Sequence, residues 1–231
     1  MRKYTHLYFD LDRTLWDFET NISDTLCEMH AFFKIKESVV SKLEWVACYR
    51  SINKGLWHDF ENKQINKATL RVERFRLLLA HFGLEKDYNA EKLSVFFLEN
   101  SPFKSTLMPG AQKILDYLAE RYVLGIITNG FYDIQKQKLK SGGIEGYFKK
   151  VFTSDRYKVA KPKKELFQIA LKSLNARKTQ SLMIGDSYEK DVLGAKTMGI
   201  DQVWYNPEGL IIDGQQATYE INNLLELKNI L

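Results

Sequence analysis

Hydrophobic and polar positions divide the chain into three stretches. The first is a short apolar run from Thr5 to Phe9, bounded by polar residues, which predicts one buried strand. From about 19 to 100 apolar residues recur at i, i+3 and i+4, predicting helices near 19–34, 38–54, 66–82 and 88–100, with Gly83 ending the third. After Pro109-Gly110 short apolar runs alternate with helical periodicity. Helices are expected near 110–121, 131–141, 163–174 and 188–198, and strands near 122–128, 151–153, 181–184 and 202–205. A last strand and helix are expected between 219 and 231.

Alternating strands and helices with continuous apolar strands predict an α/β fold, a doubly wound parallel sheet covered on both faces. The expected division is a Rossmann-like core at 1–15 and 105–231, with an all-helical domain inserted at 16–104.

Composition narrows the picture. Of 231 residues 45% are hydrophobic, enough to bury a sizeable core. No run reaches transmembrane length and no apolar leader precedes the first strand, so the expectation is a cytoplasmic protein without membrane contact. Cys27 and Cys48 lie in helical pattern, and neither they nor His6, His30, His58 and His81 show zinc spacing. The net charge of +5 raises the question of nucleic acid. Lys136, Lys138 and Lys140 read as a solvated helix face, and Lys149 and Lys150 sit beside a loop. No stripe of basic residues interleaved with aromatics is visible, so no nucleic-acid polymer is expected. A mildly positive field suits a small anionic substrate.

Candidate chemistry gathers where strands end, as a doubly wound sheet requires. Asp10 and Asp12 follow the first strand; two carboxylates two residues apart there call for a compensating positive charge, and a metal ion is the economical answer. Thr128-Asn129-Gly130 follows the second strand and reads either as a small anion site or as a helix cap. Lys161 precedes Pro162 and on its own is a surface lysine. Asp186 and Asp191 follow the strand Leu182–Ile184; they can aim at one point, or Asp186 or Ser187 caps a helix with Asp191 as its first-turn dipole partner. Together the four supply a metal site, an anion clamp and a nucleophile.

The order D-x-D-x-T at Asp10–Thr14, T-N-G at Thr128, K-P at Lys161 and G-D-x-x-x-x-D at Gly185–Asp191 resembles the haloacid dehalogenase superfamily of phosphohydrolases, over the whole chain. The helices after Trp16 are similar to the cap of its subfamily I. Asn53–Trp57, Ile126–Phe131 and Val159–Pro162 resemble the YjjG-type pyrimidine 5′-nucleotidases. One departure stands out: family members commonly carry Gly, a small or an acidic residue where this chain has Arg13, whose role stays open.

The resemblance implies hydrolysis of a small phosphorylated metabolite, a nucleoside 5′-monophosphate, through an aspartyl-phosphate. Asp10 would be the nucleophile and Asp12 the general acid and then base. Mg2+ would be held by Asp10, Asp186 and the Asp12 backbone carbonyl, with Asp191 outside the direct ligands. Thr128, Asn129 and Lys161 would bind the phosphate. The cap would close over it, and Trp16 is the expected specificity contact. Of the aromatics Trp16, Phe18, Trp45, Tyr49, Trp57 and Phe60, most are expected to fill the cap core. The expected state is monomer or homodimer. A sugar-phosphate phosphatase, a phosphomutase and a phosphonatase-type enzyme remain open. Asp12 argues against a dehalogenase, and the intact set Asp10, Asp12, Lys161 and Asp186 argues against a non-enzymatic relative.

Overall fold

The structure, a computed structural model, describes residues 3–212, 214 and 216–231. Among these described residues six parallel strands form one sheet in the order β3-β2-β1-β4-β5-β6: β1 His6–Phe9, β2 Val123–Thr128, β3 Phe148–Thr153, β4 Ser181–Gly185, β5 Asp201–Tyr205 and β6 Tyr219–Ile221. The helices are α1 Phe18–Phe32, α2 Lys42–Glu61, α3 Lys67–His81, α4 Ala90–Asn100, α5 Ala111–Ala119, α6 Tyr132–Ser141, α7 Ser154–Tyr157, α8 Lys164–Ser173, α9 Gly194–Thr197 and α10 Leu227–Ile230. The α/β, Rossmann-like expectation holds.

Both faces of the sheet are covered. Tyr8 of β1 packs with Ile127, Phe152 and Met183 against Leu166, Phe167 and Ala170 of α8. Leu7 and Phe9 alternate to the opposite face and are equally inaccessible. Such strands read as unbroken apolar runs, which made them visible.

Departures from the expected elements have local causes. α2 starts later than expected because a capping box, Ser41 with Glu44, fixes its first turn. It then runs through Gly55, where a Cβ would meet nothing. β3 begins three residues before the expected 151, because Lys149 and Lys150 lie in an edge strand, where charged residues guard unpaired backbone. The expected helix near 188–198 is a π-helical turn, Tyr188–Leu193, followed by α9.

The chain separates into two compact units, Glu19–Phe103 and the rest, which joins the residues through Phe18 to Lys104–Leu231. Inside the helical unit buried Trp45 stacks on the half-buried Phe82, and Tyr49 packs on Phe75 and Phe97 in the core. Trp57 and Phe60 stay partly open and meet edge to face. Among the described residues no helix is long and apolar enough to cross a membrane.

Candidate active site

The winding of the sheet reverses between β1 and β4, where ligands of such sheets bind. Asp10 extends β1 by one rung, its amide donating to Ile184 O at 2.9 Å. The loop then folds tightly: the amides of Thr14, Leu15 and Trp16 all donate to Leu11 O. The turn needs a left-handed residue at position 13, where Arg13 has φ 64°. A glycine adopts that conformation freely, an arginine only at a cost. The exposed Arg13 guanidinium lies 4.3 Å from the Phe18 ring centroid, and its charge reaches Asp186.

Asp10, Asp186 and Asp191 offer carboxylate oxygens within 4.8 Å of one another. Lys161 lies among them, its Nζ 2.6 Å from Asp10 Oδ1 and 2.6 Å from Asp191 Oδ1. Its side chain is 3% exposed, so it is no surface lysine. Burial pushes the ammonium pKa down, but the charges of Asp10 and Asp191 and their hydrogen bonds outweigh it, and the pKa rises. Burial drives the Asp10 carboxyl up to about 6 against the pull of Lys161. The Asp186 carboxyl rises to about 8 through burial and the charges of Asp10 and Asp191.

Each carboxylate is held by neighbours. The Thr14 hydroxyl donates to Asp186 Oδ1 at 3.2 Å and accepts from the Asp186 amide at 3.1 Å. Asp191 Oδ2 accepts from the Ser187 amide at 3.1 Å, and the wide π-turn brings Asp191 back to the strand end. A Cβ on Gly185 would fall 2.2 Å from Asp191 Oδ2, so only glycine fits there. Ser187, not Asp186, caps this turn.

Asp12 belongs to a second group. Its Oδ1 accepts from Lys138 Nζ at 2.5 Å and its Oδ2 from Gln135 Nε2 at 2.9 Å. Gln135 Nε2 also donates to Thr128 Oγ1 at 2.8 Å, and the Gly130 amide reaches the same oxygen at 3.2 Å. Thr128 is thus not the cap of α6; its N-cap is Phe131, and the Tyr132 amide is taken by Asp155 Oδ1 at 3.0 Å. The Asn129 side chain locks two loops together: Oδ1 accepts from the Lys161 amide at 2.8 Å and Nδ2 donates to Lys161 O at 3.0 Å.

Two expectations change. Lys138 is not on a solvated helix face; its side chain is 6% exposed and carries an ion pair with Asp12. Trp16 offers no open face for a specificity contact. It is fully buried, its ring centroid lies 4.1 Å below the Lys138 ammonium, and its Nε1 donates to Lys104 O at 3.0 Å. Thr14, Gln135 and Lys138 were not among the expected site residues. Thr14 had a signal in D-x-D-x-T. Lys138 had none, because its partner lies 126 residues away.

The family model described as haloacid dehalogenase-like hydrolase matches residues 7–205. The chain belongs to the haloacid dehalogenase-like hydrolases. It is 36% identical to pyrimidine 5′-nucleotidase PynA of Streptococcus pneumoniae, over 99% of this chain and 97% of that protein. It is 31% identical to pyrimidine 5′-nucleotidase YjjG of Escherichia coli, over 99% and 98% of the two. The solved structure of the HAD-hydrolase YfnB from Bacillus subtilis, bound to magnesium, is similar with TM-score 0.86 and 29% identity, covering 99% of each chain. The resemblance to this family and to YjjG-type nucleotidases read from the sequence therefore holds, and the chain is an enzyme of this hydrolase family.

Proposed function

We propose that this enzyme is a Mg2+-dependent phosphatase acting on nucleoside 5′-monophosphates, pyrimidine ones first, through an aspartyl-phosphate on Asp10. The observation that carries the reading is the division of labour between two carboxylates of one loop. Asp10 sits in the acidic cluster with Lys161, and Asp12 sits apart with two donors of its own. Two carboxylates in contrasting environments suit two different roles. The full-length likeness to PynA and YjjG supports the choice of substrate.

The acidic cluster fits a divalent cation. Lys161 compensates Asp10 and Asp191, while at the Asp186 carboxyl burial and the charges of Asp10 and Asp191 outweigh the pull of Arg13 and Lys161. Carboxylate and carbonyl oxygens are the donors magnesium prefers. Asp10, Asp186 and the Asp12 backbone carbonyl would hold it, with Asp191 behind them. Bound there, the ion would offset the repulsion between the phosphate dianion and the carboxylates.

The residues of the chain account for the rest. Thr128, the Asn129 amide and Lys161 bind the phosphoryl oxygens as donors and orient the phosphorus in line with Asp10. An Asp10 carboxylate oxygen attacks phosphorus, and the bond from phosphorus to the ester oxygen breaks. Asp12, carrying a proton taken up from solvent before the step, gives it to that departing oxygen and is left as the carboxylate that Lys138 and Gln135 hold. In the second half Asp12 takes a proton from water, which attacks the phosphorus and frees inorganic phosphate and Asp10.

A panel of nucleoside 5′-monophosphates and sugar phosphates, assayed for phosphate release with Mg2+ and with EDTA, tests the reading. Metal-dependent turnover strongest on pyrimidine nucleotides is expected. Turnover confined to sugar phosphates would remove the nucleotide assignment, and none at all would remove the phosphatase reading.

A further inference from the structure

We infer that Lys138 and Gln135, on the buried face of α6, position the Asp12 carboxylate for proton transfer and so determine how well the enzyme expels poor leaving groups. The inference rests on the reading of Asp12 as acid and base.

α6 buries Gln135, Lys138 and Leu139. A lysine and a glutamine are poor choices for packing alone, since buried polar groups need partners. Both reach one carboxylate, Lys138 on Oδ1 at 2.5 Å and Gln135 on Oδ2 at 2.9 Å. Residues three apart share a helix face, so one rigid element delivers both donors. With each oxygen gripped once, the plane of the carboxyl group is set, and the proton it passes to a departing oxygen can sit only at one of the remaining lone-pair positions.

Three further observations show how tightly the grip is built. The Gln135 amide has one workable orientation, because exchanging its ends would set its oxygen against the Asp12 carboxylate. In that orientation Gln135 Oε1 is buried with no hydrogen-bond partner among the described residues, an arrangement that packing by itself does not reward. Gly130 leaves Gln135 its space, since a Cβ there would lie 2.1 Å from Nε2. Lys138 is steadied from below by Trp16 and Phe18, 4.1 and 5.5 Å from the ring centroids.

A misaligned acid hurts a reaction only when the leaving group needs its proton. The 5′ oxygen of a nucleoside needs it; p-nitrophenolate leaves without it. The test compares kcat/KM for a pyrimidine nucleoside 5′-monophosphate and for p-nitrophenyl phosphate, because kcat/KM reports transfer to Asp10 before the water step. Full-length Lys138→Met is expected to lose about 100-fold on the nucleotide and only a few-fold on p-nitrophenyl phosphate. Gln135→Met should show the same asymmetry, and Lys138→Arg should recover most of the loss. If Lys138→Met does not fold, Gln135→Met carries the comparison. Equal losses on both substrates, or none on either, would overturn the positioning role. Wild-type enzyme that hydrolyses neither substrate would instead overturn the phosphatase reading.

Discussion

The Lys161 ammonium stands 2.6 Å from Asp10 Oδ1 inside a cluster of three carboxylates. Removing that charge leaves the carboxylates facing one another in a buried place. Lys161→Met is expected to lower metal-free stability by about 3–5 kcal/mol and to cut turnover by at least about 100-fold. Urea unfolding in EDTA and in Mg2+ checks the first part: magnesium should restore part of the loss. A variant as stable as wild type in EDTA would contradict it.

The raised carboxyls also set a pH dependence for metal-free protein. The Asp186 and Asp10 carboxyls lie at about 8 and about 6 in the fold, above their ordinary values. The native state therefore keeps protons that the unfolded chain has released, and stability falls as pH rises from about 4 towards about 8. Thermal unfolding in EDTA across that range should show the fall. Asp186→Asn should flatten it, and a slope unchanged in that variant would count against the account.

Thr14 holds Asp186 through two hydrogen bonds, at 3.2 and 3.1 Å. Thr14→Val keeps the shape and removes both. Magnesium affinity is expected to fall about 10- to 100-fold with the fold intact. Calorimetric titration with magnesium alone measures this, and unaltered affinity would mean the hydroxyl serves only the loop.

Gly185→Ala drives a methyl into the space of Asp191 Oδ2, 2.2 Å away. Asp191 must move, and with it the bond to Lys161. A loss of activity of about 100-fold with little change in secondary structure is expected. Full activity would show that Asp191 can leave its place without cost.

The strands and the acids at their ends were legible because both signals are local. A strand covered on both faces is an unbroken apolar run, and Asp10, Asp12 and Asp186 sit directly after such runs. Thr5–Phe9 was read almost as it stands, as β1. The second group around Asp12 was hidden. Lys138 and Gln135 lie on a helix whose other residues include Lys136 and Lys140, and nothing local separates the buried lysine from the solvated ones. Trp16 was misjudged for a related reason, because its closeness to the motif loop in sequence says nothing of Lys138 above its ring.

The central claim is that phosphate passes through Asp10. Enzyme mixed with a nucleoside 5′-monophosphate, quenched within a turnover, reduced with borohydride and digested should yield homoserine at position 10 in the peptide that spans it. The reduction should be absent without substrate and in Asp10→Asn. Consumption of substrate with Asp10 unreduced, or reduction at another carboxylate, would contradict the account.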